Sequence, residues 1–307
     1  MRVKATRTAR GPETRPGSRW GRRFGAQFAA YGFLLPAIAL FALFAWYPAV
    51  YGFVLGFQRV NLVDPPQWAG LANFRQVFSD PLFFRAWRNT LQYVGLGLLI
   101  GFPAPLLLAV AINEMRHLGG YFRLMFYLPA MLPPIATLFL WRWIYDPGPG
   151  LANTLLQALN LPPQPWLQSP QTAMLSIVII TTWAGLGGAM LIYLAALQGV
   201  AGELYEAAEL EGASPGQRLV HITLPSIRFV VLAMLILQFI GTMQVFTEPF
   251  VLTDGGPANA TETVALLLYR YAFQYGNYGA AGALGLILFA VLVALSLLYF
   301  RVTRRFD

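Results

Sequence analysis

Charged residues cut the chain into long apolar runs. Uncharged intervals separate Arg23 from Arg59 (35 residues), Arg88 from Glu114 (25), Arg123 from Arg142 (18), Asp146 from Glu203 (56), Arg228 from Glu248 (19) and Arg270 from Arg301 (30). A helix rises about 1.5 Å per residue, so roughly 20 apolar residues cross a hydrocarbon layer and each interval can hold a membrane helix. The longest could hold two, but its first part, GPGLANTLLQALNLPPQPWLQSP, is rich in Pro, Gly, Asn and Gln. Lipid offers such groups no hydrogen-bond partners, so only the second part is expected to cross. The pattern predicts an all-α membrane protein with six transmembrane helices near residues 31–57, 89–113, 122–143, 172–197, 226–249 and 280–300, within a membrane domain at 29–307. Prolines at 36, 48, 103, 105, 129, 133, 134 and 249 fall in or beside these helices, where each kinks a helix or frees carbonyls.

Composition agrees: 57% of residues are hydrophobic and 11% charged, against about 25% charged in soluble domains. The net charge of +8 does not form one patch that would suggest nucleic acid. Residues 1–28 carry Arg2, Lys4, Arg7, Arg10, Arg15, Arg19, Arg22 and Arg23 against Glu13 alone, and read as a disordered basic tail. With that tail in the cytoplasm, six helices place fifteen Lys and Arg on the cytoplasmic side and six on the other (Arg59, Arg75, Arg85, Arg88, Arg142, Arg270). Both termini are then cytoplasmic, and the loops near Asp64, Pro163 and Pro257 lie outside. Arg22-Arg23-Phe24 faintly resembles a twin-arginine export signal, but no small-residue cleavage site follows, and Trp46, Tyr47 and Tyr51 suit an uncleaved first helix.

Candidate chemistry is sparse. The chain has no cysteine, its two histidines (His117 and His221) are far apart, and its one lysine is Lys4 in the tail. Thiolate metal sites, a histidine metal site and Schiff-base chemistry are therefore not expected, and no catalytic, metal or cofactor residue is assigned. No GxxxxGK[ST] phosphate loop occurs, so ATP hydrolysis by that route is not expected of this chain. Gly185-Leu186-Gly187-Gly188 reads as close helix packing and Gly255-Gly256-Pro257 as a turn.

Polar groups at membrane depth are costly and mark candidate solute paths. Thr181, Thr182, Gly185 and Gly188 lie in the fourth predicted helix; Gln238 and Thr242, four apart, share a face of the fifth. Small uncharged hydrogen-bonding groups suit a neutral polyhydroxy ligand; the same residues would equally serve interhelical hydrogen bonds and close packing. Glu248, beside Pro249, is either a residue of an outer gate or an interfacial acid in water.

One polar stretch interrupts the apolar pattern, residues 203–225, ELYEAAELEGASPGQRLVHITLP. Glu203 to Leu210 are nearly all helix formers, Gly212 breaks the helix, and Ser214, Pro215 and Gln217 form an N-cap, a first-position proline and a capping box that start a second helix. Within it Glu206, Ala207, Ala208, then Gly212, then Ile222, Leu224 and Pro225 stand at the spacing of the EAA loop. In this the chain resembles permease subunits of bacterial ATP-binding cassette importers. LIYLAALQGVAGELYEAAELEGAS and VLTDGGPANATETVALLLYRYAF narrow the resemblance to the sugar-type permeases, over roughly residues 30–305. Glu211 stands where that branch usually has Asp, which keeps the charge and the helix-end position.

The resemblance implies a subunit of the bacterial inner membrane that is itself no enzyme. It implies pairing with a second permease subunit and two cytoplasmic ATPase subunits, with a periplasmic or lipid-anchored binding protein delivering the solute to a path surrounded by membrane lipid. The EAA residues would couple ATP-driven closure to alternating access. A sugar is the expected solute; glycerol phosphate or another non-sugar solute is the alternative. A multi-pass membrane enzyme is a further rival that lacks the cluster of acids or histidines it would need.

Overall fold

The computed structural model describes residues 31–60, 65–115 and 118–303. The basic tail, the loop position Asp64, Arg116, His117 and the terminal Arg304 and Arg305 lie outside the described residues. The chain divides into two units, residues up to Gly52 and residues from Phe53 onward. Helix α1, Tyr31–Leu55, makes up the described part of the first unit and runs on to the start of the second. It is apolar enough to cross a membrane, with a mean hydropathy of 2.0, and stacks Tyr47 on Tyr51 one turn apart.

The second unit opens with a small antiparallel pair, β1 (Gln58–Arg59) and β2 (Gln67–Trp68), and the short helix α2, Ala72–Ser79. Helix α3, Pro81–Asn113, follows. Its start corrects the expected 89: the Asp80 side chain accepts a hydrogen bond from Leu82 N at 2.8 Å and Pro81 takes the first helical position. These are ordinary start signals, and counting uncharged residues from Arg88 passed over them. A single π turn, Gly97–Gly101, interrupts α3.

Helices α4 (Gly119–Met131) and α5 (Pro134–Ile144) stand where one helix over 122–143 was expected, and they meet at 98°. Pro134 clashes with a helical residue before it and Pro133 lacks a backbone donor, so the helix cannot continue through the pair. The short helix α6, Leu151–Ala158, lies in the Pro- and Gln-rich stretch. There Asn153, fully buried, donates to the carbonyls of Pro147 and Gln164 and accepts from Gln164 N and Trp166 Nε1. One side chain thus satisfies a turn that is not helical. Helix α7, Ala173–Leu197, runs unbroken for 25 residues.

Helices α8 (Gly202–Leu210) and α9 (Pro215–Ser226) form an elbow, and α9 turns by 79° at Ile227 into α10, Arg228–Met243. The expected helix over 226–249 ends early: the chain leaves the helix at Gln244 and forms a separate short helix α11, Thr247–Thr253. Helix α12, Val264–Tyr269, continues through a π turn, and α13, Tyr278–Thr303, closes the described chain. Helices α1, α3, α7 and α13 are long and apolar enough to cross a membrane, and the bent pairs raise the number to six if each makes one crossing.

Helix α7 is the post against which the second unit packs. Its Met190, Tyr193 and Leu194 meet Leu106, Ala109 and Ile112 of α3, while Met174, Ile177, Val178 and Ile180 pack with Tyr93 and Leu138. Inside lipid such helices are held by van der Waals fit, which small residues allow. Gly187 is the case in point: a side-chain carbon there would overlap the Phe126 carbonyl of α4.

Candidate functional site

Helices α3, α7, α10 and α11 line a half-open cavity of about 430 Å3. Thr181, Thr182 and Gly185 line it from α7, Gln238 and Thr242 from α10, and Glu248 from α11, so five of the six expected path residues and Thr182 meet in one place. Gly188 does not line this cavity. Of the glycines in this stretch Gly187 packs, whereas the Cα hydrogens of Gly185 point at open space.

The cavity wall also contains Tyr93, Gly97 and Gly101 of α3, which the pattern of polar residues did not suggest. Their signal was the spacing of two glycines by four, which places both on one helix face. Gln238 Nε2 donates to the Gly97 carbonyl at 2.9 Å, and that carbonyl already accepts from Phe102 N in the π turn. A side-chain carbon on Gly101 would come within 3.1 Å of Gln238 Nε2 and of Thr182 Oγ1. Gln238 thus links two helices and also lines the cavity. Tyr93 Oη donates to Thr181 Oγ1 at 3.1 Å, which donates to the Val178 carbonyl, and Thr242 Oγ1 donates back to carbonyls of its own helix. Each hydroxyl keeps lone pairs for a ligand while its proton stays within the protein.

Beyond α11 the chain makes a tight turn in which Asp254 and Gly255 are left-handed. A side-chain carbon at Gly255 would overlap the Glu262 carboxylate. Glu262 is 1% exposed, and Arg270 Nε donates to both of its oxygens at 2.9 and 3.1 Å. Burial raises the Glu262 carboxyl above its ordinary range, and the hydrogen bonds and charge of Arg270 pull it back. Arg270 also donates to the Asp254 carbonyl at 2.8 Å. Asn89 of α3 donates to the carbonyls of Asn259 and Glu262, and Thr90 accepts from Val264 N. Glu262 is the most deeply buried acid among the described residues, and Arg270 is its partner. The pair joins the loop to the π turn after α12.

At the elbow, α8 has no buried residue, Gly212 is left-handed at φ +78°, and the Ser214–Gln217 capping box is complete: Ser214 N donates to Gln217 Oε1 at 2.7 Å and Gln217 N to Ser214 Oγ at 3.4 Å. A positive φ is nearly free for glycine and strained for other residues. The second helix continues through a π turn at Leu219–Thr223 and ends at Ser226, one residue past Pro225. Glu206, Ala207 and Ala208 lie on α8 and Ile222, Leu224 and Pro225 on α9, and a groove of about 370 Å3 between the two helices is lined by Ala208, Gly212 and Ile222.

Residues 101–307 match the family model described as the binding-protein-dependent transport system inner membrane component. The chain belongs to that family. This inner membrane component is 32% identical over 299 residues to the arabinooligosaccharides transport system permease protein AraP of Bacillus subtilis (strain 168), covering 96% of this chain and 95% of that one. Among solved structures it resembles a chain of a bacterial ABC transporter involved in the import of the acidic polysaccharide alginate, with a TM-score of 0.83, 28% identity and coverage of 94% and 99%. It likewise resembles a chain of an alginate transporter in complex with an alginate pentasaccharide-bound periplasmic protein, with a TM-score of 0.84, 27% identity and coverage of 94% and 98%. The inner membrane component is thus the permease of an importer, a transport subunit whose ATPase is a separate chain.

Proposed function

We propose that this permease carries a sugar or related polyhydroxy solute through the cavity between α3, α7, α10 and α11, by alternating access. The observation that carries the reading is the convergence of Thr181, Gly185, Gln238, Thr242 and Glu248 on one cavity, beside relatives named for oligosaccharide or polysaccharide transport. Amide, hydroxyl and carboxylate groups exchange hydrogen bonds with a sugar at a net of about 0.5–1.5 kcal/mol each, enough to replace water and weak enough to release. Gly188 lies outside the cavity and is left out of the path in this reading.

The chain crosses the inner membrane six times, the bent pairs α4–α5 and α9–α10 counting once each, with both termini and the elbow in the cytoplasm. Residues 1–28 form a basic cytoplasmic tail and 29–307 the membrane domain. A second permease subunit completes the path, two ATPase subunits bind below, and a binding protein loads the solute from outside. The coupling residues are Glu206, Ala207, Ala208, Gly212, Ile222, Leu224 and Pro225. Support for this role is physical: α8 is polar, unburied and joined to α9 through one left-handed glycine, so a push on it reaches α10 through α9.

The test is uptake by the assembled importer carrying Glu206→Lys or Gly212→Pro. Both variants are expected to insert normally and lose ATP-dependent uptake, Glu206→Lys by apposing like charges if its partner surface is basic, Gly212→Pro because proline cannot adopt a positive φ. Unimpaired uptake in both would remove the elbow from the mechanism.

A further inference from the structure

Glu248 is placed differently from every other acid described. It stands in the first turn of α11 and lines the main cavity together with a neighbouring one of about 360 Å3, formed where α4 bends into α5. Thr181, Gly185 and Thr247 also line both, so the carboxylate sits on the wall the two spaces share. Among the described residues it makes no ion pair, in contrast to Glu262, which Arg270 holds. No Lys, Arg or His lines either cavity, and the arginine bordering the next space, Arg142, faces a separate one with Asp146 and Asp254.

From this we infer that Glu248 makes the path an electronegative filter, which admits neutral or cationic polyhydroxy solutes and rejects anionic ones such as uronates and phosphorylated sugars. A carboxylate is an acceptor with about four lone-pair sites, able to take two hydroxyl protons of a vicinal diol or an ammonium group. An anion brought beside it meets repulsion with no cation on these walls to offset it, and a wall of low dielectric strengthens that repulsion over its value in bulk water. The permease fold leaves this choice open, since a related chain belongs to an importer of an acidic polysaccharide. The lining decides it. The inference selects between the two solute classes that the sequence left open, against glycerol phosphate and for an uncharged sugar, and it rests on the cavity being the solute path.

Because the chain has no cysteine, a single thiol can report on the cavity. Gly241 lines it, and a side-chain carbon there meets no atom within 4 Å, so Gly241→Cys places the thiol without crowding. In the assembled transporter during turnover, the rates of modification by trimethylammonioethyl and sulfonatoethyl methanethiosulfonate are followed by the mass of this chain. The cationic reagent is expected to gain a preference that falls about tenfold when Glu248→Gln is added, the size of a charge acting over roughly 10 Å in a wet cavity. Glu248→Asp should keep the preference and Glu248→Arg should invert it. A ratio unchanged by Glu248→Gln, with both reagents still reacting, overturns the filter and leaves the path reading standing. Failure of both reagents to reach the thiol overturns the path reading and the filter with it.

Discussion

The elbow at 202–226 and the loop at 253–264 are both polar interruptions between apolar helices, yet they are held in opposite ways. The loop is tied to distant chain: Arg85 donates to the Ala258 carbonyl, Asn89 to those of Asn259 and Glu262, and Thr90 accepts from Val264 N, bonds that span about 170 residues of sequence. Thr261, Glu262 and Thr263 are buried. The elbow is tied mostly to itself. Gly212 N donates to the Glu209 carbonyl and Ala213 N to that of Ala208, and Ser214 and Gln217 bond each other. Between its two helices there is a hydroxyl contact of 3.1 Å from Tyr205 to Thr223 and an open ion pair of 3.8 Å from Arg218 to Glu209. Leu210 is 90% exposed at its tip. A region with long-range bonds and a buried charge pair is a clamp that fixes α3 against α11 and α12, whereas a region with local bonds and an exposed leucine holds its shape by itself and leaves an apolar side chain uncovered among the described residues.

The sharpest way to break that contrast is to open the clamp. Glu262→Ala leaves Arg270 with one carboxylate neighbour, Asp254, at 3.2 Å, and removes a buried ion pair. Losing one partner of such a pair costs about 3–5 kcal/mol. Thermal unfolding of the purified protein in detergent should show a fall of several degrees in the midpoint, and an unchanged midpoint would mean that the loop is not a clamp. The smaller effect belongs to the elbow. Ser214→Ala removes an N-cap, for which about 1 kcal/mol is usual. That loss is local, so the same melting experiment should register little or no change, while limited proteolysis should cut faster near Ala213. A drop in midpoint as large as that of Glu262→Ala would erase the distinction between the two regions.

What could be read along the chain follows the same division. The elbow was legible because its determinants are neighbours: a run of helix formers, a glycine that takes a positive φ, and Ser214, Pro215 and Gln217 within four positions. Helix α7, Ala173–Leu197, ends within a residue of the expected 172–197 because its apolar run is bounded by a Pro- and Gln-rich turn on one side and Gly199 on the other. The polar positions of the cavity were legible as exceptions in apolar helices, and Gly188 was included with them because position along a helix does not tell which face is turned inward. The start of α3 was missed because charge marked the boundary where a cap should have done so. The early end of α10 at Met243 was missed because Gln244 to Thr247 carry no charge, and its consequence is that Glu248 reaches the cavity from a separate short helix. The bond from Gln238 to Gly97 joins residues 141 apart, and the Glu262–Arg270 pair joins a loop to the π turn after α12. The first depends on how helices pack, and no window of sequence contains it; the second lies within eight residues, but nothing in the run of apolar residues between them shows that the chain folds back to bring the two charges together.

Passage of solute through the cavity between α3, α7, α10 and α11 is best probed at Gly185. A side chain there enters open space rather than the neighbouring helix, unlike one at Gly187, so Gly185→Leu narrows the cavity without disturbing the contact between α4 and α7. Uptake and ATPase activity of the assembled importer are measured together. Uptake should be lost while ATPase activity still rises when the loaded binding protein is added; uptake at the wild-type rate would place the solute path elsewhere.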